Sequence, residues 1–168
     1  MMPTWALALA YWLHLIATVI WVGGITLLAL LVWPGARAHW GHSPEAGRFL
    51  RDLNRRFNPW AWLSLAVLTA TGLFQMAADP NYRGFLAIDN AWTVAILLKH
   101  LAVLGMVGIG AALQWIVQPE LARLALLEER GKPAPHIAAM RKRETFLMRA
   151  NLVCAALVLL CTAVATAL

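Results

Sequence analysis

The chain has 168 residues, a formal charge of +6 and a hydrophobic fraction of 61%, with only 13% charged residues. Soluble domains carry about 25% charged residues, so this composition excludes a disordered chain, a disulfide scaffold and a typical soluble enzyme. Nine Trp against two Tyr and a mean hydropathy of +0.66 point to an integral membrane protein. The basic residues, which give a pI near 10.2, lie between apolar runs. That placement fits membrane orientation rather than nucleic-acid binding, and no nucleic-acid partner is expected.

No Lys or Arg precedes Arg37, so the N-terminus lacks the basic start of a signal peptide. The first apolar run, Trp5–Trp33, therefore reads as a retained span whose one ionisable group is His14. Pro59–Ala78 holds none, Ala91–Gln118 holds Lys99 and His100, and Ala150–Leu168, led in by Leu147 and Met148, holds none. About 20 residues cross a hydrocarbon core, so each run can span. The expectation is an all-α, four-helix transmembrane bundle forming one domain over 1–168, with spans near 5–33, 59–78, 91–118 and 147–168.

The segments between the spans set the topology. Residues 34–58 hold Arg37, Arg48, Arg51, Arg55 and Arg56 against Glu45 and Asp52, and residues 119–149 hold seven Lys or Arg against four Glu. Residues 79–90 hold one Arg against two Asp. The positive-inside rule then puts loops 34–58 and 119–146 in the cytoplasm. Loop 79–90 and both termini fall on the outer, periplasmic side of a bacterial inner membrane. Trp5 and Trp92 are expected at the outer interface, and Trp33, Trp60, Trp62 and Trp115 at the inner one. Within the first loop, Phe49, Leu50, Leu53 and Phe57 suggest a short helix lying on the membrane surface over 45–57. Asn58-Pro59 reads as the start of the second span. Residues 120–130 extend the third helix until Gly131-Lys132-Pro133 stops it.

Ionisable residues inside a span are costly and point to function. There are three: His14, Lys99 and His100. His14 follows Trp5 by nine residues and His100 follows Ala91 by nine, on helices running in the same direction. Both imidazoles then lie roughly 12–14 Å below the outer interface. Each His can satisfy itself with a backbone carbonyl or a Ser/Thr hydroxyl. The sharper reading makes the pair axial ligands to haem b (protohaem IX), held between helices one and three. Trp21, on the His14 face, and small neighbours leave room for a flat ring. Lys99 points away from His100 and needs an anion, which a haem propionate would supply. Arg83 and Tyr82 in the outer loop are further propionate partners. Bare copper or zinc is the alternative, wanting third and fourth ligands.

Other polar positions carry less. His39 and His42 read as solvated loop residues, and Met1, Met2 and Met76 as a thioether set for Cu(I) only if they converge. Gln75, Gln114, Gln118 and Asn151 lie near span ends, where water can satisfy them. Cys154 and Cys161 share one helix face but are about 10 Å apart, too far for a disulfide. They read as small packing residues, with metal binding as the alternative.

The chain resembles the CopD family of bacterial membrane proteins (copper resistance protein D and its short stand-alone relatives). The resemblance rests on Leu13-His14-Leu15 followed by Trp21-Val22-Gly23-Gly24, on Arg55-Arg56-Phe57 followed by Ala70-Thr71-Gly72-Leu73, and on Tyr82-Arg83-Gly84 followed by Leu97-Leu98-Lys99. Pro119-Glu120-Leu121 and Arg149-Ala150-Asn151 add related patterns in helices three and four. HemJ-type protoporphyrinogen oxidases look like distant relatives. They share a helix-one His and a helix-three Lys, matching His14 and Lys99, and are linked to haem binding. Where they have Arg-Leu-Phe-Val-Tyr-His after helix one, this chain has Trp33-Pro34-Gly35-Ala36-Arg37.

The expected function is haem b binding for electron transfer or small redox chemistry; an enzyme built on it would be an oxidoreductase. The alternatives are copper transport or resistance, HemJ-like porphyrin oxidation, and a structural subunit of a membrane complex. Expected partners are membrane lipid, a redox partner or quinone, and a second copy or a larger membrane complex.

Overall fold

A computed structural model of the chain describes residues 3–41, 43–82, 84 and 90–168. The described residues form four long helices: α1 (Thr4–Trp40), α2 (Pro44–Ala78), α3 (Ala91–Glu129) and α4 (Ile137–Ala167). All four are long and apolar enough to cross a membrane. Helices suit that setting because hydrocarbon offers no partner for a free N–H or C=O.

The helix ends follow local chemistry. Ser43 caps α2 by accepting from the Ala46 N–H at 3.4 Å, and Pro44 takes the first turn, where no N–H is needed. Asn90 caps α3, accepting from the Thr93 N–H at 2.7 Å and from its hydroxyl at 2.8 Å. Gly131, at φ 68°, ends α3, as its sequence position predicts.

Three turns widen from α to π geometry: Val19–Gly23 and Leu28–Val32 in α1, and Leu113–Val117 in α3. The second precedes Pro34 and the third precedes Pro119. A proline inside a helix lacks the N–H for the preceding turn and presses on its carbonyl, and a widened turn accommodates both effects.

The expectation of a separate surface helix over 45–57 is corrected. α2 runs unbroken through Asn58-Pro59. Leu50, Asn54, Phe57, Ala61 and Leu65 form one stripe along it and line a single cleft, so packing on both sides of Pro59 holds the helix together. Likewise α1 continues to Trp40 and α4 begins at Ile137, beyond the apolar runs.

Each helix packs on its chain neighbours, and α4 closes the ring against α1, which leaves α1 and α3 diagonal. Trp21, Val22, Met106, Ala155 and Val158 form the core, with Met106 only 1% exposed. Leucines such as Leu97, Leu101 and Leu104 on α3 stay exposed on the outside, the face a multi-pass membrane protein gives to lipid. Trp92 is 6% exposed and packed inward, beside Ala95 on the same stripe. The basic end of the bundle is the one where α1 meets α2 and α3 meets α4; the terminal end is the other.

Candidate functional site

α1 turns Ala10, His14, Ala17 and Trp21 toward the bundle. In the terminal half of the bundle, His14 Nδ1 lies 2.8 Å from Thr71 Oγ1 on α2. The Thr71 hydroxyl donates its one proton to the Val67 carbonyl at 2.6 Å. It therefore accepts from His14, so Nδ1 carries the imidazole proton. The lone pair of the neutral ring is then on Nε2, which has no partner among the described residues.

Gly72 lies at the contact of α1 and α2, where a Cβ would stand 3.4 Å from His14 Cε1. One turn further toward the terminal end, Gln75 donates to the Ala10 carbonyl at 3.2 Å. Both bonds fix the rotation of α1 against α2, and with it the imidazole.

α3 presents Trp92, Ala95, Lys99 and Met106 inward. Lys99 is thus the inward ionisable group of α3. His100 lies on the exposed face with Leu97, Leu101 and Leu104. Its Nδ1–H donates to the Ile96 carbonyl at 2.7 Å, one turn back in its own helix. One imidazole therefore faces in and the other out. Haem gripped by both between α1 and α3 does not fit this arrangement. His100 would have to leave Ile96, and α3 would have to rotate by about 100°.

The other expected positions scatter. Trp21 is buried in the core. Tyr82 is half-buried in the turn after α2, its N–H bonded to the Asp79 carbonyl at 3.1 Å. Arg83, His42, Met1 and Met2 lie outside the described residues. His39 meets Trp40 edge to face at 4.9 Å. Both cysteines are free and half-buried. Among the described residues, no three His, Cys, Asp or Glu side chains gather as a metal cage.

Three of the four carboxamides expected to rely on water are held by protein groups. Gln75 binds Ala10, Gln114 accepts from Trp62 Nε1 at 3.3 Å, and Gln118 donates to Glu144 at 2.7 Å. Asn151 is buried at 6% exposure, and among the described residues its Oδ1 has no partner.

Sequence reasoning missed Glu144, which is 3% exposed at the basic end. Besides Gln118, it pairs with Arg37 at 3.4 Å, and Arg37 also donates to Thr145 at 3.3 Å and stacks over Trp33 at 5.2 Å. This cluster ties α1, α3 and α4 together. The available signal was helical phase: Glu144 shares a face with Asn151, Ala155 and Val158, the inward stripe of α4.

A family model for copper resistance protein D matches residues 51–165. No curated protein and no solved structure matches the chain. The matched segment takes in Thr71 and Lys99, all of α3 and nearly all of α4; His14 precedes it. With four helices fit to span a membrane and about two thirds of its length inside that match, the chain belongs to the copper resistance protein D (CopD) family.

Proposed function

We propose that this protein handles copper within the membrane, with copper as cargo, and that His14 is the side chain that receives it. The carrying observation is the Thr71–His14 pair, which commits Nδ1–H and leaves the Nε2 lone pair without a partner among the described residues. Hydrogen bonding at the other ring nitrogen is how metal-binding histidines are usually oriented. Imidazole suits copper. The family description supports the same metal. The topology that goes with this reading puts the basic end in the cytoplasm and both termini outside, in a bacterial inner membrane.

The test is Cu(I) titration of detergent-purified protein against a chromophoric chelator. His14→Ala should weaken binding by at least about tenfold, the loss expected for a principal ligand. Unchanged binding by that variant would remove His14 from the proposal.

A second reading is porphyrin chemistry of the HemJ type. One observation favours it: His14 and Lys99, the two residues that resemblance matches, both turn inward. An absorption spectrum of protein made with ample haem, oxidised and then reduced with dithionite, separates the readings. A Soret band lost in His14→Ala would favour the porphyrin. A featureless spectrum with bound copper would favour the metal.

A further inference from the structure

The basic end of the bundle holds a cavity of about 1170 Å³, its mouth included, walled by all four helices. Arg37 reaches it from α1, Arg51 from α2, Glu128 and Glu129 from α3, and Arg141 and Glu144 from α4. Every carboxylate in this wall has a guanidinium partner. Glu144 has Arg37 at 3.4 Å, Glu128 has Arg141 at 3.2 Å, and Glu129 has Arg48 at 3.5 Å. Arg51 is the exception among the cations of the wall, for it forms no ion pair among the described residues. Its Nη1 lies over Gly47, 3.3 Å from where a Cβ would stand, and Gly47 belongs to the same wall. The charged head of Arg51, and not only its stem, is therefore at the cavity. The residue is half-buried, so that head is not sealed off.

A guanidinium is always charged and offers a planar fork of donors that matches phosphate oxygens. Two features select a phospholipid over a soluble phosphate. The cavity lies where the basic segments meet the apolar spans, the level of lipid headgroups. It also shares Trp33, Leu50 and Gln118 with a mainly apolar cleft of about 990 Å³, which reaches the core at Trp21 and Met106. A molecule with an anionic head and a long apolar tail uses both spaces, whereas a soluble phosphate uses one. The net charge of the head matters as well. A zwitterionic head brings an ammonium toward Arg51, which has no carboxylate to offset it.

We infer that the basic end binds one anionic phospholipid, its phosphodiester on Arg51 and an acyl chain along the apolar cleft. Arg37 and Arg141 stay with their carboxylates and frame the head.

Native mass spectrometry of the detergent-purified, delipidated protein, titrated with dioleoylphosphatidylglycerol and with dioleoylphosphatidylcholine, tests this. One phosphatidylglycerol should be held about tenfold more tightly than phosphatidylcholine, as one charge-assisted contact allows. Arg51→Gln should bring that ratio close to one. Its unfolding midpoint without lipid should stay that of the wild type, since no ion pair is lost. Arg55→Gln, an exposed arginine one turn on and outside the cavity wall, should keep the ratio. Glycerol 3-phosphate should not displace the lipid at equal concentration. No preference in the wild type, or a ratio unchanged in Arg51→Gln, would overturn the inference. So would an equal fall in Arg55→Gln, which would assign the preference to diffuse positive charge. Displacement by glycerol 3-phosphate would assign the cavity to a soluble phosphate ester instead. The wild-type ratio, Arg55→Gln and the competitor decide even if Arg51→Gln fails to fold.

Discussion

At the basic end, both carboxylate oxygens of Glu144 are engaged, one by Gln118 at 2.7 Å and one by Arg37 at 3.4 Å. In the terminal half, His14 has one nitrogen engaged and one free among the described residues. Both groups sit on the inner face of a span. The first uses its charge and hydrogen bonds to join α1, α3 and α4, and has little left for a ligand. The second uses one bond to fix its orientation, and its other nitrogen has no partner among the described residues. Burial of an ionisable group therefore does not identify a site; what remains uncommitted after its bonds are counted does.

The comparison breaks most visibly at Arg37. Arg37→Ala strands a buried carboxylate and should destabilise the bundle by about 3 kcal/mol, read as a lower midpoint of thermal unfolding in detergent. The double variant Arg37→Met, Glu144→Leu should recover most of that, because it removes the charge as well as its partner. At the other region, Thr71→Val should weaken copper binding by about 10–100-fold in the chelator competition. Its stability should fall by only about 1 kcal/mol, one hydrogen bond's worth. Equal copper affinity in Thr71→Val would deny that Thr71 orients the ligand.

Gly24→Ala probes the cleft between the two regions. A Cβ at Gly24 would collide with the ring of Phe57, 2.2 Å from its Cε2, so the ring must move. Overpacking of this kind should destabilise by about 1–2 kcal/mol in the same unfolding measurement. The smallest effect is expected at His100. His100→Ala should change stability by less than about 0.5 kcal/mol and leave copper affinity as it was, since the ring bonds only to its own helix on an exposed face. A large loss of copper there would reverse the assignment of inward and outward faces on α3.

The four spans and the end of α3 at Gly131 were legible because they depend on length and turn chemistry. Rotation about the helix axis was not. Toward lipid, α3 shows Leu97, Leu101 and Leu104; toward the core it shows Ala95, Ala102 and Met106. Both faces are apolar, since lipid is as apolar as a protein interior, and no amphipathic stripe marks which side turns inward. Hence Lys99 and His100, adjacent in the chain, were assigned to the cofactor together, while the structure separates them. Glu144 escaped notice for a related reason. It follows Arg141-Lys142-Arg143, and a charge beside three cations reads as surface until the phase of α4 is known. The continuity of α2 through Pro59 rests on tertiary packing, which a local start signal at Asn58-Pro59 does not register.

The π turns give the molecule an unusual sensitivity to length. A turn closed five residues on holds one residue more than an α turn, and that residue rotates everything after it by about 100°. Arg37 reaches Glu144 only after two such turns in α1. Deleting one residue from Leu28–Val32 would leave a more regular helix, yet it would swing Trp33 off the cleft wall and Arg37 away from its carboxylate. For this helix the register of insertions is as much a part of the design as the identity of the side chains. A relative with α1 one residue shorter would have to find another anchor for the basic end.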